Sequence, residues 1–376
     1  TAGVVSGTAH FLEHMACGRS EAFPEHDSFS SFVRSKGGYE NAWTSIFQTS
    51  YLLEIPSVAF KSAFRGLVSS AFEPLLLSGD IPNEVSVIKN ERNRKSIWWP
   101  GENELGLYCN TEWRNMLTVS QSQIMGSDDD LFSMTAPDLR KFHARYFDPR
   151  VSVILVGSYD LDFVACELSQ YQTQLQVSEV AYSPIHWVKR DYHEILLGED
   201  LQYRYTVGGI LESRDTKVFS ALILIFSLLT SSPGGRLYEW LRKELGWSYG
   251  VKMDLTIGGQ GEQTTWQLDL PVTTYEQSQA VRRELHGKIL EAISNDGVIA
   301  SEQRRIQLEN VFRCQSAFDV MDRAGFELDS FGKIISEAED AETSRDSANS
   351  NFLRTVYEEF MSPCVTGEIL VMPKEN

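Results

Sequence analysis

The chain is poor in residues that staple or anchor a protein. Its 376 residues include five cysteines, Cys17, Cys109, Cys166, Cys314 and Cys364, an odd, scattered set without a C-x-x-C pair. They imply neither a disulfide framework nor a cysteine zinc site, and are expected to act as small buried hydrophobes. No N-x-S/T sequon occurs, so a glycosylating secretory route gains no support. The longest apolar run, VFSALILIFSLL (218–229), is too short to span a bilayer and reads as a buried helix, so no membrane insertion is expected. Basic charge is scarce too: 34 Lys and Arg stand against 52 Asp and Glu, a net charge of −18. A nucleic-acid partner calls for a basic face, so that class is excluded, whereas basic peptides are compatible.

What is present is an ordinary globular composition, 42% hydrophobic and 23% charged, over a length that suggests two or three domains. The first residue is Thr1, so any targeting peptide is expected to be already missing, and the compartment is unknown: bacterial cytoplasm or periplasm and mitochondrial or plastid matrix all fit.

Histidine is also sparse, seven in all, yet TAHFLEHMACG (8–18) places two of them one helical turn apart. Residues four apart share a helix face, so His10 and His14 can aim two imidazoles at one spot, with Glu13 beside them. Two neutral nitrogen ligands plus a carboxylate free to handle a proton make a zinc-site layout; the order H-x-x-E-H inverts the commoner H-E-x-x-H signature. Such a site wants a third protein ligand and an open position for water. Glu84 and Glu91, two helical turns apart, project from nearly one face and are the carboxylates to consider. His26, His143, His186, His193 and His286 lack partner spacing and read as surface or packing residues.

The chain is also written twice. TSYLLEIPSVAF (49–60) matches TTWQLDLPVTTY (264–275), Pro56 falling on Pro271; NEVSVIKNE (83–91) matches SEQRRIQLE (301–309), Glu84 on Glu302 and Glu91 on Glu309; LRKFHARYFDPRV (139–151) matches LRTVYEEFMSPCV (353–365). The offsets all lie near 215 residues. The reading is therefore two tandem homologous domains, residues 1–175 and 193–376, joined by a linker at 176–192, each built of strands and helices in an α+β arrangement. Strands are expected at YLLEI and VSVILVG in the first copy and within 193–213 in the second, with a hairpin in DLTIGGQGEQTTWQLDL. Helices are expected where Phe60, Phe64, Leu67, Val68 and Phe72 recur at helical spacing, after Asp80 and Pro82, and at 217–230. The second copy has strands before that helix whose counterparts in the first copy are expected to lie before Thr1.

With these pieces in place the sequence resembles the M16 (pitrilysin, inverzincin) zinc metallopeptidases, in their single-half, processing-peptidase-like branch. That family shows H-x-x-E-H followed, about 76 residues on, by a Glu; here 76 residues separate His14 from Glu91. GGYENAWTSIFQTSY (37–51) resembles its cleft-bordering strand, and SSPGGRLYEWLRKELGWSYGV (231–251) its segment with an Arg and a Tyr seven apart, Arg242 and Tyr249. The stretch MACGRSEAFPEHDSFSSF departs from the hydrophobic run and Gly-Thr-Lys-like turn usual there.

The resemblance implies one Zn²⁺ held by His10, His14 and Glu91, with Glu84 orienting a ligand from behind. It implies Glu13 as the base for a zinc-polarised water, and Arg242 and Tyr249 as hydrogen-bond donors to substrate. Asn41 and Ala42 would pair with an extended peptide. Gly234 and Gly235, a helix-opening turn without the Lys-Ser/Thr of a phosphate loop, join them as candidate substrate contacts. The second copy reads IFSLLTSS where the first has its histidines, so it holds no zinc. The chain would be one half of a clamshell, an endopeptidase for unfolded peptides active as a homo- or heterodimer with a second M16-type subunit. The alternative within the family is a non-catalytic or scaffolding subunit.

Overall fold

The computed structural model describes residues 5–44, 48–97, 124–146, 151–172, 193–197, 202–211, 213, 215–257, 264–362 and 367–373. These fall into two compact units, one before residue 173 and one from residue 193 on. The expected linker at 176–192 lies outside the described residues.

In the first unit the HxxEH stretch is helix α1 (Thr8–Gly18), entered through Gly7 at φ 82°. Gly7 is needed there twice over. Its φ lies in the left-handed region, and a Cβ would stand 2.7 Å from the Gly126 nitrogen; Gly126, itself at φ 70°, would meet Ser6 O at 2.8 Å. Two chain segments thus cross backbone to backbone at the foot of α1. Helix α2 (Ser28–Ser35) leads to a two-stranded antiparallel ladder, β1 (Tyr39–Thr44) with β2 (Thr49–Glu54), in which Ala42 faces Tyr51 and Thr44 faces Thr49. Helix α3 (Phe60–Phe72) buries Phe64 and Val68, the middle of the predicted apolar face. Helix α4 (Ile81–Ile97) starts just after Asp80.

The stretch VSVILVG forms no strand: residues 151–156 pair with no other described strand, and Val151, Val153 and Val156 are exposed. Alternation and β-branching mark a segment fit for a sheet, but a strand exists only through its ladder partner.

An apolar seam holds α1 to α4. Phe11, Leu12 and Met15 pack in one cluster with Val85 and Ile88, closed beneath by Leu76, Leu131, Met134 and Leu139. Polar ties fix the helix ends. Arg19 Nε donates to Asp80 Oδ2 at 2.9 Å, linking the end of α1 to the start of α4. Lys89 and Arg92 both reach Asp128, whose carboxyl they hold below the usual range, and Arg92 Nη1 donates to Gly126 O at 2.8 Å.

The second unit is built on a five-stranded sheet in the order β3-β7-β4-β6-β5, from β3 (His193–Leu197), β4 (Tyr203–Leu211), β5 (Lys252–Ile257), β6 (Thr264–Val272) and β7 (Gly367–Pro373). β3 runs parallel to β7; the other pairs are antiparallel, including the expected β5–β6 hairpin with Ile257 opposite Thr264. The apolar run forms the helix Thr216–Thr230, whose Leu222, Ile225, Phe226 and Leu229 are buried with Trp266 and Leu268 of β6. Among the described residues no helix is long and apolar enough to cross a membrane. The cysteines depart from expectation: Cys166 is exposed and Cys17 and Cys314 are half-buried, while Cys109 and Cys364 lie outside the described residues.

Gly7→Ala adds a methyl where neither its own backbone nor that of Gly126 can yield, and is expected to destabilise the chain by about 1–3 kcal/mol. A denaturant melt of both proteins measures it; equal midpoints would refute the crossing as a constraint.

Candidate metal centre

The site forms where the polar edges of α1 and α4 meet beside their apolar seam. On α4, Glu84, Ile88 and Glu91 follow at four and three residues, one face of a helix; Ile88 is fully buried and sets the two acids against α1. On α1, His10 and Glu13 are buried and His14 is half-buried. Among the described residues His10, His14 and Glu91 form one possible metal-holding group, one ligand atom from each lying within 4.8 Å of the others. Glu91 Oε2 stands 3.6 Å from His10 Nε2 and 3.4 Å from His14 Nε2.

Those spacings fit a zinc ion. Bonds of about 2.0–2.2 Å at tetrahedral angles put neighbouring ligand atoms about 3.3–3.6 Å apart, whereas a direct N–H···O bond would sit at about 2.7–3.2 Å. The contact behind them is shorter. His14 Nδ1 lies 3.2 Å from Glu84 Oε2, so Glu84 fixes the ring and leaves Nε2 directed at Glu91.

Electrostatics point the same way. Burial alone would lower the His14 pKa. Hydrogen bonds to Glu84 and Glu91 and the charges of Glu84 and Glu13 outweigh it and raise the value from 6.5 to about 9. The acids demand a positive charge here, a demand a divalent cation meets. The same surroundings push the Cys17 thiol up to about 12, through burial and the charges of Glu13, Glu40 and Glu84.

Two contributors escaped the sequence reading. Thr44, at the end of β1, donates its hydroxyl to Glu13 Oε2 at 2.5 Å and lies 3.0 Å from the Thr49 hydroxyl, so the hairpin tethers Glu13. Its only signal was a place in the quoted strand, two residues beyond Ala42. His26, read from its spacing as a surface or packing residue, has Nδ1 3.0 Å from Asp27 Oδ2 and Nε2 3.8 Å from Glu84 Oε1.

Of the proposed substrate contacts, Asn41 is exposed on β1 and its Oδ1 accepts from the Ala42 amide at 3.0 Å; Ala42 is half-buried. No described strand other than β2 pairs with β1. Arg242 and Tyr249 belong to the second unit and find each other. The guanidinium lies 4.3 Å from the Tyr249 ring centre and donates to Tyr249 O at 2.9 Å. Tyr249 is 85% exposed, an aromatic held out in solvent rather than in a core. Gly235 is the N-cap of the short helix Arg236–Tyr238, and Gly234 precedes it at φ 117°.

Comparison with known proteins agrees with this geometry. Residues 4–105 match the family model described as Insulinase (Peptidase family M16), and residues 133–303 the one described as Peptidase M16 inactive domain. Insulin-degrading enzyme-like 1, peroxisomal, of Arabidopsis thaliana is 26% identical over 286 residues, 70% of this chain and 28% of that protein. Coenzyme PQQ synthesis protein F of Pseudomonas protegens is 23% identical over 292 residues, 74% of this chain and 34% of the relative. The chain thus spans about a third or less of the length of these relatives. Two solved structures are matched over nearly their whole length. A protease from Helicobacter pylori superposes with a TM-score of 0.79 at 15% identity, covering 98% of this chain and 89% of that one. A peptidase M16 inactive domain from Pseudomonas fluorescens gives 0.82 at 14%, covering 99% and 90%. At such identities the likeness is one of fold.

Glu84→Gln keeps the shape of the group behind His14 and removes its charge. Zinc affinity, read by competition with a chromogenic chelator, is expected to fall about 10–100-fold; unchanged affinity would remove Glu84 from the site.

Proposed function

The chain belongs to the M16 peptidase family, and on that footing we propose that it is a zinc-dependent endopeptidase acting on unfolded peptides. The observation that carries the proposal is the convergence of His10, His14 and Glu91 at spacings suited to one tetrahedral ion.

His10, His14 and Glu91 hold the metal in this reading, and Glu84 keeps the His14 ring in place. When bound, zinc polarises water and a peptide carbonyl, lowering the barrier to hydrolysis. Glu13 does the proton work. Its Oε2, steadied by Thr44, takes a proton from the attacking water and returns it to the amine that leaves. The peptide lies extended along β1, where the Ala42 amide, now covered by the Asn41 side chain, becomes available to a substrate carbonyl. Reading a backbone in this way selects for unfolded chains, because a folded protein seldom presents a free strand edge.

Arg242 and Tyr249 act on substrate in an assembled enzyme. Their mutual stacking and the exposure of Tyr249 support a pair presented outward, toward the site of a second M16-type subunit. The active form is a homo- or heterodimer of such halves enclosing a chamber, each chain comprising two tandem homologous domains with one zinc. Gly234 and Gly235 serve that segment as the turn that launches it.

Glu13→Gln is expected to reduce cleavage of short peptides about 10²–10⁴-fold with zinc content unchanged, and Thr44→Val to lower kcat less severely with KM preserved. Metal analysis beside a fluorogenic peptide assay checks both. A fully active Glu13→Gln chain would overturn the mechanism, and wild-type chain inert toward every unfolded peptide, dimeric or not, would favour the scaffolding role.

A further inference from the structure

The second unit contains a counterpart of the metal corner. The repeat sets Glu302 on Glu84 and Glu309 on Glu91 at an offset of 218, and an offset one residue shorter, 217, sets Ser227 and Ser231 on His10 and His14. The two serines stand four apart, Ser227 in the last turn of the helix Thr216–Thr230 and Ser231 at its C-cap, and that helix packs against the helix Asp296–Arg313 carrying both glutamates, as α1 packs against α4.

One group touches all four of these side chains, the guanidinium of Arg305. Its Nη2 donates to Ser227 Oγ at 2.6 Å, to Ser231 Oγ at 3.1 Å and to Glu302 Oε1 at 2.8 Å. Its Nε donates to Glu302 Oε2 at 3.0 Å and its Nη1 to Glu309 Oε1. Both serine hydroxyls pass their protons on to Glu302 Oε1, at 2.5 and 2.8 Å. In the first repeat the position of Arg305 is held by Val87.

We infer that Arg305 is the second unit's built-in cation, its guanidinium standing on the side chains that correspond to the metal-holding group and closing that corner to a metal ion. The chemistry of each set suits its cation. Imidazole and carboxylate are zinc donors, whereas neutral hydroxyls are poor ones; hydroxyls accept well from N–H groups, and guanidinium brings five in a fork and stays charged at any pH the protein meets. Two carboxylates drawn onto one corner need a positive charge, and this unit carries its own. Burial would raise the Glu302 carboxyl, but Arg305 and the two serines hold it below its ordinary value. The inference rests on the repeat and on these contacts, not on the peptidase reading.

The test rebuilds the corner in a chain whose first site is disabled. Zinc per chain is measured after desalting in His14→Ala, and in the same chain carrying Ser227→His, Ser231→His and Arg305→Val. The rebuilt chain is expected to hold one zinc more than its parent. Equal zinc in the two, with the rebuilt chain folded by circular dichroism, overturns the inference. Because the comparison is between two His14→Ala chains, zinc retained by the parent would count against the proposed ligand set alone. A second measurement stands whether or not the rebuilt chain folds. Arg305→Met is expected to melt at least about 2 °C below wild type, and Glu302→Gln with Arg305→Met to recover part of the loss, the carboxylate no longer lacking its counter-charge. Wild-type melting of Arg305→Met overturns the inference by itself.

Discussion

The packing of Phe11, Leu12 and Met15 against Val85 and Ile88 turns separate polar side chains into a site. A histidine pair on one helix and two glutamates on another mean nothing chemically until the helices are locked in rotation and in register. The seam does this directly: Ile88 lies between Glu84 and Glu91 on the buried face of α4, and Phe11 and Met15 each directly follow a histidine of α1. Acids that would otherwise turn to water are thereby held against imidazoles, and the raised His14 pKa reflects their attraction for its protonated ring, which outweighs the effect of burial. Around the seam, the Arg19–Asp80 pair and the Gly7–Gly126 crossing fix where the helices begin and end.

The second unit uses the same two-helix arrangement for a different end. Ser227, Ser231, Glu302 and Glu309 keep the polar corner but satisfy it internally with Arg305. A guanidinium cannot dissociate, so this corner needs nothing from the solution. The first corner has no such permanent charge: its positive partner is the His14 imidazole, which carries charge only when protonated. The two corners thus differ in how their acids are compensated, by imidazoles in the first unit and by a guanidinium in the second.

Much of this was legible in sequence, for a physical reason. The His10–His14 and Glu84–Glu91 relations are local and follow from helical periodicity. The helix at 217–230 and the β5–β6 hairpin likewise depend on near neighbours. What escaped reading is non-local. The Thr44–Glu13 hydrogen bond spans 31 residues and requires the hairpin to seat its end over α1. His26 reaches Glu84 only because the chain folds back after Gly18, where Asp27 N bonds to Gly18 O at 3.0 Å. VSVILVG has the composition of a strand but no described partner, and composition carries no information about partners. Arg305 fell outside the aligned pattern because its counterpart is a valine, so matching identical residues passed over the position that changed most.

Cys17 bears the imprint of the acidic corner in a way that matters for handling the protein. One turn beyond Glu13, its thiol is held in the neutral S–H form far above physiological pH. The thiolate is the form that reacts with alkylating agents and mild oxidants, so this sulfur, although beside the acidic corner, is a sluggish nucleophile. The exposed Cys166, remote in sequence, is the sulfur such reagents meet more readily among the described residues. Inactivation by a thiol reagent would therefore be a poor guide to the chemistry of the histidine helix, and a cysteine-directed label can be attached at Cys166 while the acidic corner keeps its own sulfur shielded.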